Sequence, residues 1–109
     1  TARASRRTRR SDTAAGTIKH REQGEGGRYV ARVEGESAIG YLEWEPRGDN
    51  VRVATHTVVP KEIGGRGIAG QLVDRLISDA REDGFRIVPQ CSYVARKFDD
   101  NPEWADLKA

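Results

Sequence analysis

Four glycines stand where a β-branched segment gives way to a helical pattern of apolar residues: Gly64, Gly65, Gly67 and Gly70. The first N–H groups of a helix lack intrahelical partners, and they carry the positive end of the helix dipole. Glycines at such a place let a phosphate come close to these donors, because no side chain stands in the way. The segment of residues 56–84 therefore predicts a site for a phosphate-bearing ligand.

Two well-known phosphate loops do not account for these glycines. A nucleoside-triphosphate loop would need Gly-Lys-Ser/Thr after four intervening residues, and the segment has no such run. The run from Gly65 to Gly70 matches G-x-G-x-x-G, but a dinucleotide domain places that pattern near the start of a parallel sheet. Here the preceding strands are of hairpin type and too few residues follow for a second half-domain, which argues against this reading.

The elements that must position the glycine turn form an α+β pattern. Alternating or β-branched residues predict strands, and apolar residues spaced by three and four predict helices. The predicted strands cover residues 17–22, 28–34, 37–45, 51–59 and 85–89, and the predicted helices cover 65–83, 92–98 and a last turn from 101. This order predicts a mixed, mainly antiparallel sheet with a central βαβ unit and a long helix after the glycine turn.

Three local expectations complete this outline. Residues 23–27 contain three glycines and are expected to form a turn, and Gly35-Glu36 is expected to be a two-residue hairpin link. The long helix is expected to begin near Gly65 or Arg66 and to end at Gly84. Its residues Arg75 and Asp79 are expected to pair on the solvent-facing side.

The charge of the chain is unevenly distributed. Of 19 basic residues in the 109-residue chain, five arginines fall in residues 1–10, which leaves 14 basic against 17 acidic residues, a net charge of −3, over residues 11–109. We expect residues 1–16 to be a flexible basic tail and residues 17–109 to be a single domain. An arm that touches nucleic acid and a solvated terminus are both open interpretations of this tail.

Cys91 is the single cysteine of the sequence, so no intrachain disulfide can form. This cysteine usage suits a reducing cytosol, and no run reaches the roughly 20 apolar residues of a membrane span. We therefore expect a cytoplasmic protein without a membrane segment. No metal site is predicted, and the oligomeric state is left open.

The glycine turn and its neighbours resemble a known family. Val59-Pro60 precedes Gly65-Arg66-Gly67-Ile68-Ala69, and Leu72 and Val73 follow. This arrangement is similar to the pyrophosphate-binding motif of the GNAT-type, general-control-related N-acetyltransferases. The blocks HTVVP, GRGIAGQLV, IVPQCSYV and NPEWADL occur in the order typical of its minimal single-domain branch. The resemblance extends over about residues 17–107.

The resemblance implies acetyl-CoA as co-substrate. Backbone groups around Val58 and Val59 would hold the pantetheine arm. The pyrophosphate would lie on the turn at Gly64, Gly65, Arg66, Gly67, Ile68 and Ala69. Two positions depart from the family pattern: Gly64 replaces an Arg or Gln, and Val58 replaces a Glu that commonly follows His-Thr.

Three residues are candidates for catalysis. His56 could take a proton from an amine, Cys91 could contact the acyl group, and Tyr93 could donate a proton to the CoA thiolate. Cys91 could also act as a nucleophile, and for each of the three residues a structural role is the alternative. The resulting hypothesis is an acetyl-CoA-dependent N-acyltransferase that transfers directly to an amine of a small molecule or a protein lysine. The alternatives are a CoA-binding module with little or no catalysis, and an interaction domain whose arginine tail binds nucleic acid.

Overall fold

The computed structural model describes residues 17–109, and the tail predicted for residues 1–16 lies outside this range. Within the described residues, five strands and two α-helices follow in chain order: β1 (Thr17–Gln23), β2 (Gly26–Arg32), β3 (Ile39–Pro46), β4 (Val51–Val58), α1 (Ile68–Asp83), β5 (Arg86–Pro89) and α2 (Ser92–Asp100). Two short 3-10 helices, Lys61–Ile63 and Pro102–Leu107, precede α1 and end the chain.

The strands form one sheet in the order β1-β2-β3-β4-β5. Neighbouring strands from β1 to β4 are antiparallel, whereas β4 and β5 are parallel and connected through α1. The α+β prediction, with its mainly antiparallel sheet, its βαβ unit and its long helix, is therefore confirmed. A β-bulge interrupts the pairing of β3 with β4: Glu43 lies opposite His56 and Trp44 opposite Ala54, so that Thr55 is the extra residue.

The turn predicted over residues 23–27 is shorter than expected. β1 continues to Gln23, and β2 begins at Gly26, so the turn itself is Gly24-Glu25. A Cβ built on Gly27 would lie 2.6 Å from the Trp44 indole nitrogen. Gly27 is therefore needed for the close approach of an aromatic side chain to the strand rather than for a turn.

The prediction of a two-residue link at Gly35-Glu36 was wrong. β2 ends at Arg32 and β3 begins at Ile39, so a longer loop connects them. The Glu36 N–H donates to the Val33 carbonyl at 3.0 Å, and Gly35 has a φ of 83°. Val33, which directly follows β2, packs against the core.

Helix α1 also begins later than expected, at Ile68 rather than at Gly65 or Arg66. Gly65 and Gly67 have φ angles of 74° and 76°, which lie in the left-handed region that a right-handed helix excludes. Gly67 is the N-cap residue and Gly84 is the C-cap, as expected for the end of the helix.

The core lies between one face of the sheet and the helices. Helix α1 contributes its buried apolar stripe, which includes Leu72, Val73 and Leu76, and the sheet contributes Tyr29 and Leu42 among others. In α2, Val94 and Phe98 join the same cluster, and Trp104 packs with its ring against that of Phe98 at 5.6 Å. Both tryptophans thus serve core or docking roles, because Trp44 is also part of the cluster.

The expectation of a solvent-facing pair at Arg75 and Asp79 was wrong. Their exposed fractions are 8% and 3%, since this side of α1 packs on β1 and β2. The Tyr29 hydroxyl donates to Asp79 at 2.8 Å, and Arg75 donates to Asp79 at 3.3 Å and to the Ile18 carbonyl at 3.3 Å. The pair is a buried polar network that connects the helix with the sheet.

The opposite face of the sheet carries no described helix, and we call it the open face. The register places two rows of side chains across it. The first row is Arg21, Arg28, Glu43 and His56, and the second is Lys19, Val30, Tyr41 and Val58. Most of these side chains are partly or fully accessible, but Val30 is 8% exposed, and Val58 is an exposed large hydrophobic residue at 39%.

No helix among residues 17–109 has the length and apolar character needed to cross a membrane.

Candidate functional site

The glycine turn forms a row of available backbone donors. The first backbone hydrogen bond at the start of α1 runs from the Gln71 N–H to the Gly67 carbonyl at 3.1 Å, as expected for a helix that begins at Ile68. Within the described chain, no backbone or side-chain acceptor pairs with the amides from Gly65 to Gly70. We call these six amides the anion cradle. They stand at the positive end of the α1 dipole, where an anion is stabilised.

Two expectations about individual cradle residues change. The Gly64 N–H donates to the Lys61 carbonyl at 3.1 Å, because Gly64 caps the first 3-10 helix, so this amide is already occupied. Ile68 contributes its amide to the cradle while its side chain is 2% exposed in the core. Ala69 lies at the second position of α1, and its amide also belongs to the cradle. The set of pyrophosphate-binding residues predicted from the sequence ended at Ala69, so the Gly70 amide is an addition to it.

Arg66 lies in the cradle but is not free. Its guanidinium donates to Glu36 at 3.0 Å and to the Glu62 carbonyl at 3.4 Å. Its side chain is still 42% exposed. An exposed ion pair contributes little energy, so an anion on the cradle can compete for Arg66.

The end of β4 lies next to the start of α1. A Cβ built on Gly40 would lie 3.1 Å from the Ile68 side chain and 3.4 Å from the Val58 carbonyl. Gly40 thus lets the two segments meet, and Val59 packs beside them against the core. The start of α1, which carries the anion cradle, therefore lies beside the C-terminal end of β4.

The second half of β4 has an edge without a strand partner. Pairing with β5 ends where Ala54 lies opposite Pro89. The Cys91 N–H then donates to the Ala54 carbonyl at 2.9 Å, and the chain turns into α2. Beyond this point β4 continues to Val58 beside β3, and no described strand follows its other side. Unpaired backbone groups at such an edge can bond an extended, amide-bearing ligand.

His56 projects from this part of β4 onto the open face, where its side chain is 67% exposed. Its Nδ1 atom lies 3.6 Å from the Glu43 carboxylate, which also accepts from the Arg28 Nε at 3.2 Å. A carboxylate near Nδ1 would favour the tautomer in which Nε2 is the proton acceptor. Sequence reasoning missed Glu43, since only the strand register shows that it faces His56.

Cys91 and Tyr93 lie on the other side of the sheet. The Cys91 thiol is 3.4 Å from the Thr57 hydroxyl. Burial raises the pKa of this thiol, but hydrogen bonding with the Thr57 hydroxyl and with backbone groups of Val94, Tyr93 and Thr57 outweighs it, so the pKa lies below its usual value. A Cβ built on Gly70 would lie 3.7 Å from the Tyr93 hydroxyl, which places Tyr93 beside the first turn of α1.

A family model described as GCN5-related N-acetyl-transferase matches residues 28–107 of this chain. The chain belongs to the GCN5-related N-acetyltransferase family. This membership confirms the resemblance found in the sequence, and it assigns acyl transfer as the general chemistry of the domain. It covers β2 through the final 3-10 helix, and so includes the glycine turn and all three candidate catalytic residues.

In this N-acetyltransferase domain, the sheet separates the three candidate catalytic residues. Cys91 and Tyr93 are brought together with Thr57 on the side that carries the helices, whereas His56 and Glu43 lie on the open face. The free edge of β4 runs between the two groups. The sequence alone predicted the residues but not this division.

A second concave region of the domain lies away from these residues. It is a cleft of about 250 Å³ near the turn between β3 and β4 and the end of α1. Arg52 occupies its wall, with its guanidinium 3.9 Å from the Trp44 ring centre and 4.0 Å from that of Phe85.

Among the described residues, no group of three or more His, Cys, Asp or Glu side chains is arranged to hold a metal ion.

Proposed function

We propose that the protein is an acetyl-CoA-dependent N-acetyltransferase that transfers the acetyl group directly to an amine. The observation that carries this proposal is the position of the anion cradle beside the free edge of β4. An anion site followed by an unpaired strand edge matches the order of chemical groups in CoA, in which a pyrophosphate is followed by a chain of amides.

Binding of the co-substrate follows from these two features. The amides from Gly65 to Gly70 would receive the pyrophosphate, with Arg66 exchanging Glu36 for a phosphate oxygen. The pantetheine amides would bond the backbone of β4 toward Val58 and Val59. The thioester would then reach the point where β4 and β5 diverge, next to Cys91 and Thr57.

The candidate base and the candidate acid lie on opposite sides of the sheet, and this arrangement is compatible with direct transfer. An amine that approaches from the open face would lose its proton to His56, which is oriented by Glu43. As the new N–C bond forms, the C–S bond breaks and the sulfur leaves toward the other side, where the Tyr93 hydroxyl can protonate it. Cys91 would line the acyl group, and the donors around its sulfur could also polarise the thioester carbonyl.

Thermal unfolding with CoA and acetyl-CoA tests the binding part of the proposal. A ligand that binds only the folded state stabilises it by RT ln(1 + [L]/Kd), about 2.7 kcal/mol at 100 Kd. Pantetheine, which lacks the pyrophosphate, serves as the control ligand and should stabilise much less. The absence of a shift with millimolar CoA would refute both binding and transfer.

Release of free CoA in the presence of amines tests the transfer part. Small primary amines and lysine peptides are suitable acceptors, and His56→Ala should lower turnover while the thermal shift with CoA remains. A CoA-binding module without efficient catalysis is the second candidate, favoured by Val58 at the place of the family glutamate. It predicts a full thermal shift and no CoA release with any acceptor.

A nucleic-acid function would depend on the arginines of residues 1–10, which lie outside the described residues. Removal of these ten residues should then abolish salt-sensitive retention on DNA. Unchanged retention would refute this alternative.

A further inference from the structure

The open face carries a basic cluster that the transfer chemistry does not use. Lys19 and Arg21 on β1 and Arg32 on β2 project from this face and are exposed. In the part of the chain that the structure describes, no acid pairs with these three side chains. Arg28 belongs to the same region, but it is held by Glu43 and its guanidinium stacks on the Tyr41 ring at 4.2 Å.

The cluster is aligned with the candidate base. Arg21, Arg28, Glu43 and His56 are successive partners across the four antiparallel strands. Three steps of about 4.8 Å separate the ends of this row, so that Arg21 lies roughly 14 Å from His56. An extended peptide, which rises about 3.3 Å per residue, spans this distance with roughly four residues.

We propose that the open face is the acceptor platform of the enzyme and that it takes an acidic segment of a protein. The acceptor amine would lie at His56, and carboxylates about four residues away would bond Lys19, Arg21 and Arg32. This inference rests on the proposed transfer reaction, since it takes His56 as the place of the amine. It adds the substrate class: an acidic peptide rather than a polycation.

Two rival explanations of the cluster fit the structure less well. Cations on an edge strand protect it from pairing with other chains, but Arg32 lies on β2, which is an internal strand. A single-stranded nucleic acid would need exposed aromatic rings on which bases stack. The described open face offers the Tyr41 ring, and Arg28 already covers it. Carboxylate side chains match the charge of the cluster without needing such rings.

The test compares two blocked, fluorescein-labelled peptides of equal length, each with one lysine. In one peptide, glutamates lie about four residues from the lysine, and in the other, glutamines replace them. Fluorescence anisotropy with CoA-loaded protein measures binding, and CoA release measures kcat/KM. We expect the glutamate peptide to be favoured about tenfold in both, since several exposed ion pairs each contribute modestly.

Substituted proteins then show which residues cause the preference for the glutamate peptide. The double charge reversal Lys19→Glu with Arg21→Glu should abolish or invert the ratio between the two peptides. The matched control is the double reversal Arg96→Glu with Lys97→Glu on α2, which changes the net charge by the same amount on the helix-bearing side and should keep the ratio. Circular dichroism and the thermal shift with CoA establish that each variant is folded and binds the co-substrate.

The outcomes separate this inference from the proposed function. Equal binding of the two peptides, or a preference that survives the double reversal, overturns the acidic platform even when CoA release is observed. A glutamate preference in binding without CoA release from either peptide supports the platform as a binding surface and refutes transfer to a peptide lysine. Tighter binding of a labelled single-stranded oligonucleotide, lost in the same double variant, overturns the inference in favour of nucleic acid.

Discussion

Replacement of Gly67 by alanine tests the anion cradle without a steric clash inside the fold. Gly67 has a φ of 76°, and a Cβ built there would have no atom within 4 Å. The substitution therefore costs only backbone strain, about 1–2 kcal/mol for an L-residue in the left-handed region. For a domain of this size, we expect the melting temperature without ligand to fall by about 4–8 °C for each kcal/mol.

The effect on CoA binding is a separate loss. The new methyl group stands beside the amides of the cradle and should hold a phosphate away from at least one of them. A hydrogen bond to a charged group contributes about 1.5–3 kcal/mol, so the loss of one weakens the affinity roughly tenfold or more. At a concentration of 100 Kd for the unaltered protein, a tenfold loss reduces the stabilisation from about 2.7 to about 1.4 kcal/mol.

Gly48 provides a matched control. It has a φ of 63° in the turn between β3 and β4, and a Cβ built there also meets no atom within 4 Å. Gly48→Ala should therefore cost similar strain but keep the full stabilisation by CoA. Differential scanning calorimetry with and without CoA measures both quantities. A Gly67→Ala protein that retains the full CoA effect would show that these amides do not hold the pyrophosphate.

Three further expectations follow from the buried network and the candidate acid. Tyr29→Phe removes the hydroxyl that donates to Asp79, and urea unfolding should show a loss of about 1–3 kcal/mol; a loss well below this range would contradict the role of the network. Burial is the main cause that lowers the pKa of His20 below 6.5 in the folded state, where its Nε2 accepts from Trp44 at 3.0 Å. As the pH falls through 6.5, the unfolded chain therefore binds a proton at His20 before the folded chain does. The free energy of unfolding should then decrease by at most about 1.4 kcal/mol per pH unit. In urea titrations at several pH values, His20→Gln should make this decrease smaller. Tyr93→Phe should lower the rate of CoA release by at least about tenfold with an unchanged thermal shift by CoA, whereas equal losses in both would assign Tyr93 to binding.

Much of the architecture is predictable because it depends on local pattern. The β-branched run of residues 51–58 and the apolar stripe of α1 specify a strand and a helix with little help from the rest of the chain. The family motif is predictable for the same reason, because it is a short segment whose glycines permit the left-handed φ angles at Gly65 and Gly67. The match of the family over residues 28–107 therefore agrees with what these segments predict.

The remaining features depend on contacts between distant segments or on short turns with weak sequence signals. Arg75 and Asp79 have the spacing of a surface ion pair, and only the packing of α1 on Tyr29 makes them buried. Gly64 resembles a member of the cradle, but its amide is bonded to the Lys61 carbonyl of a 3-10 helix that has no strong sequence signal. Tyr29 and Ile18 lie far along the chain from Arg75 and Asp79, so no local pattern could include them. The bond of Gly64 spans only three residues and was missed because the short 3-10 turn has a weak signal.

The β-bulge at Thr55 connects the fold with the proposed chemistry. In a regular strand, Ala54 and His56 would face the same side, and His56 would point into the helix-bearing side with Ala54. The extra residue reverses the alternation, so that His56 meets Glu43 on the open face and Thr57 meets Cys91 on the other. The Thr55 hydroxyl bonds the Glu43 carbonyl at 3.2 Å, at the place where the ladder is interrupted.

The same bulge also helps to explain the free edge of β4. Bulges increase the local twist of a strand, and this bulge directly follows Ala54, the last residue of β4 that pairs with β5. β4 and β5 therefore diverge at Ala54, the residue after which the side chains of β4 change the face to which they point. One inserted residue thus places His56, the candidate base, on one side of this edge and the Cys91 thiol on the other.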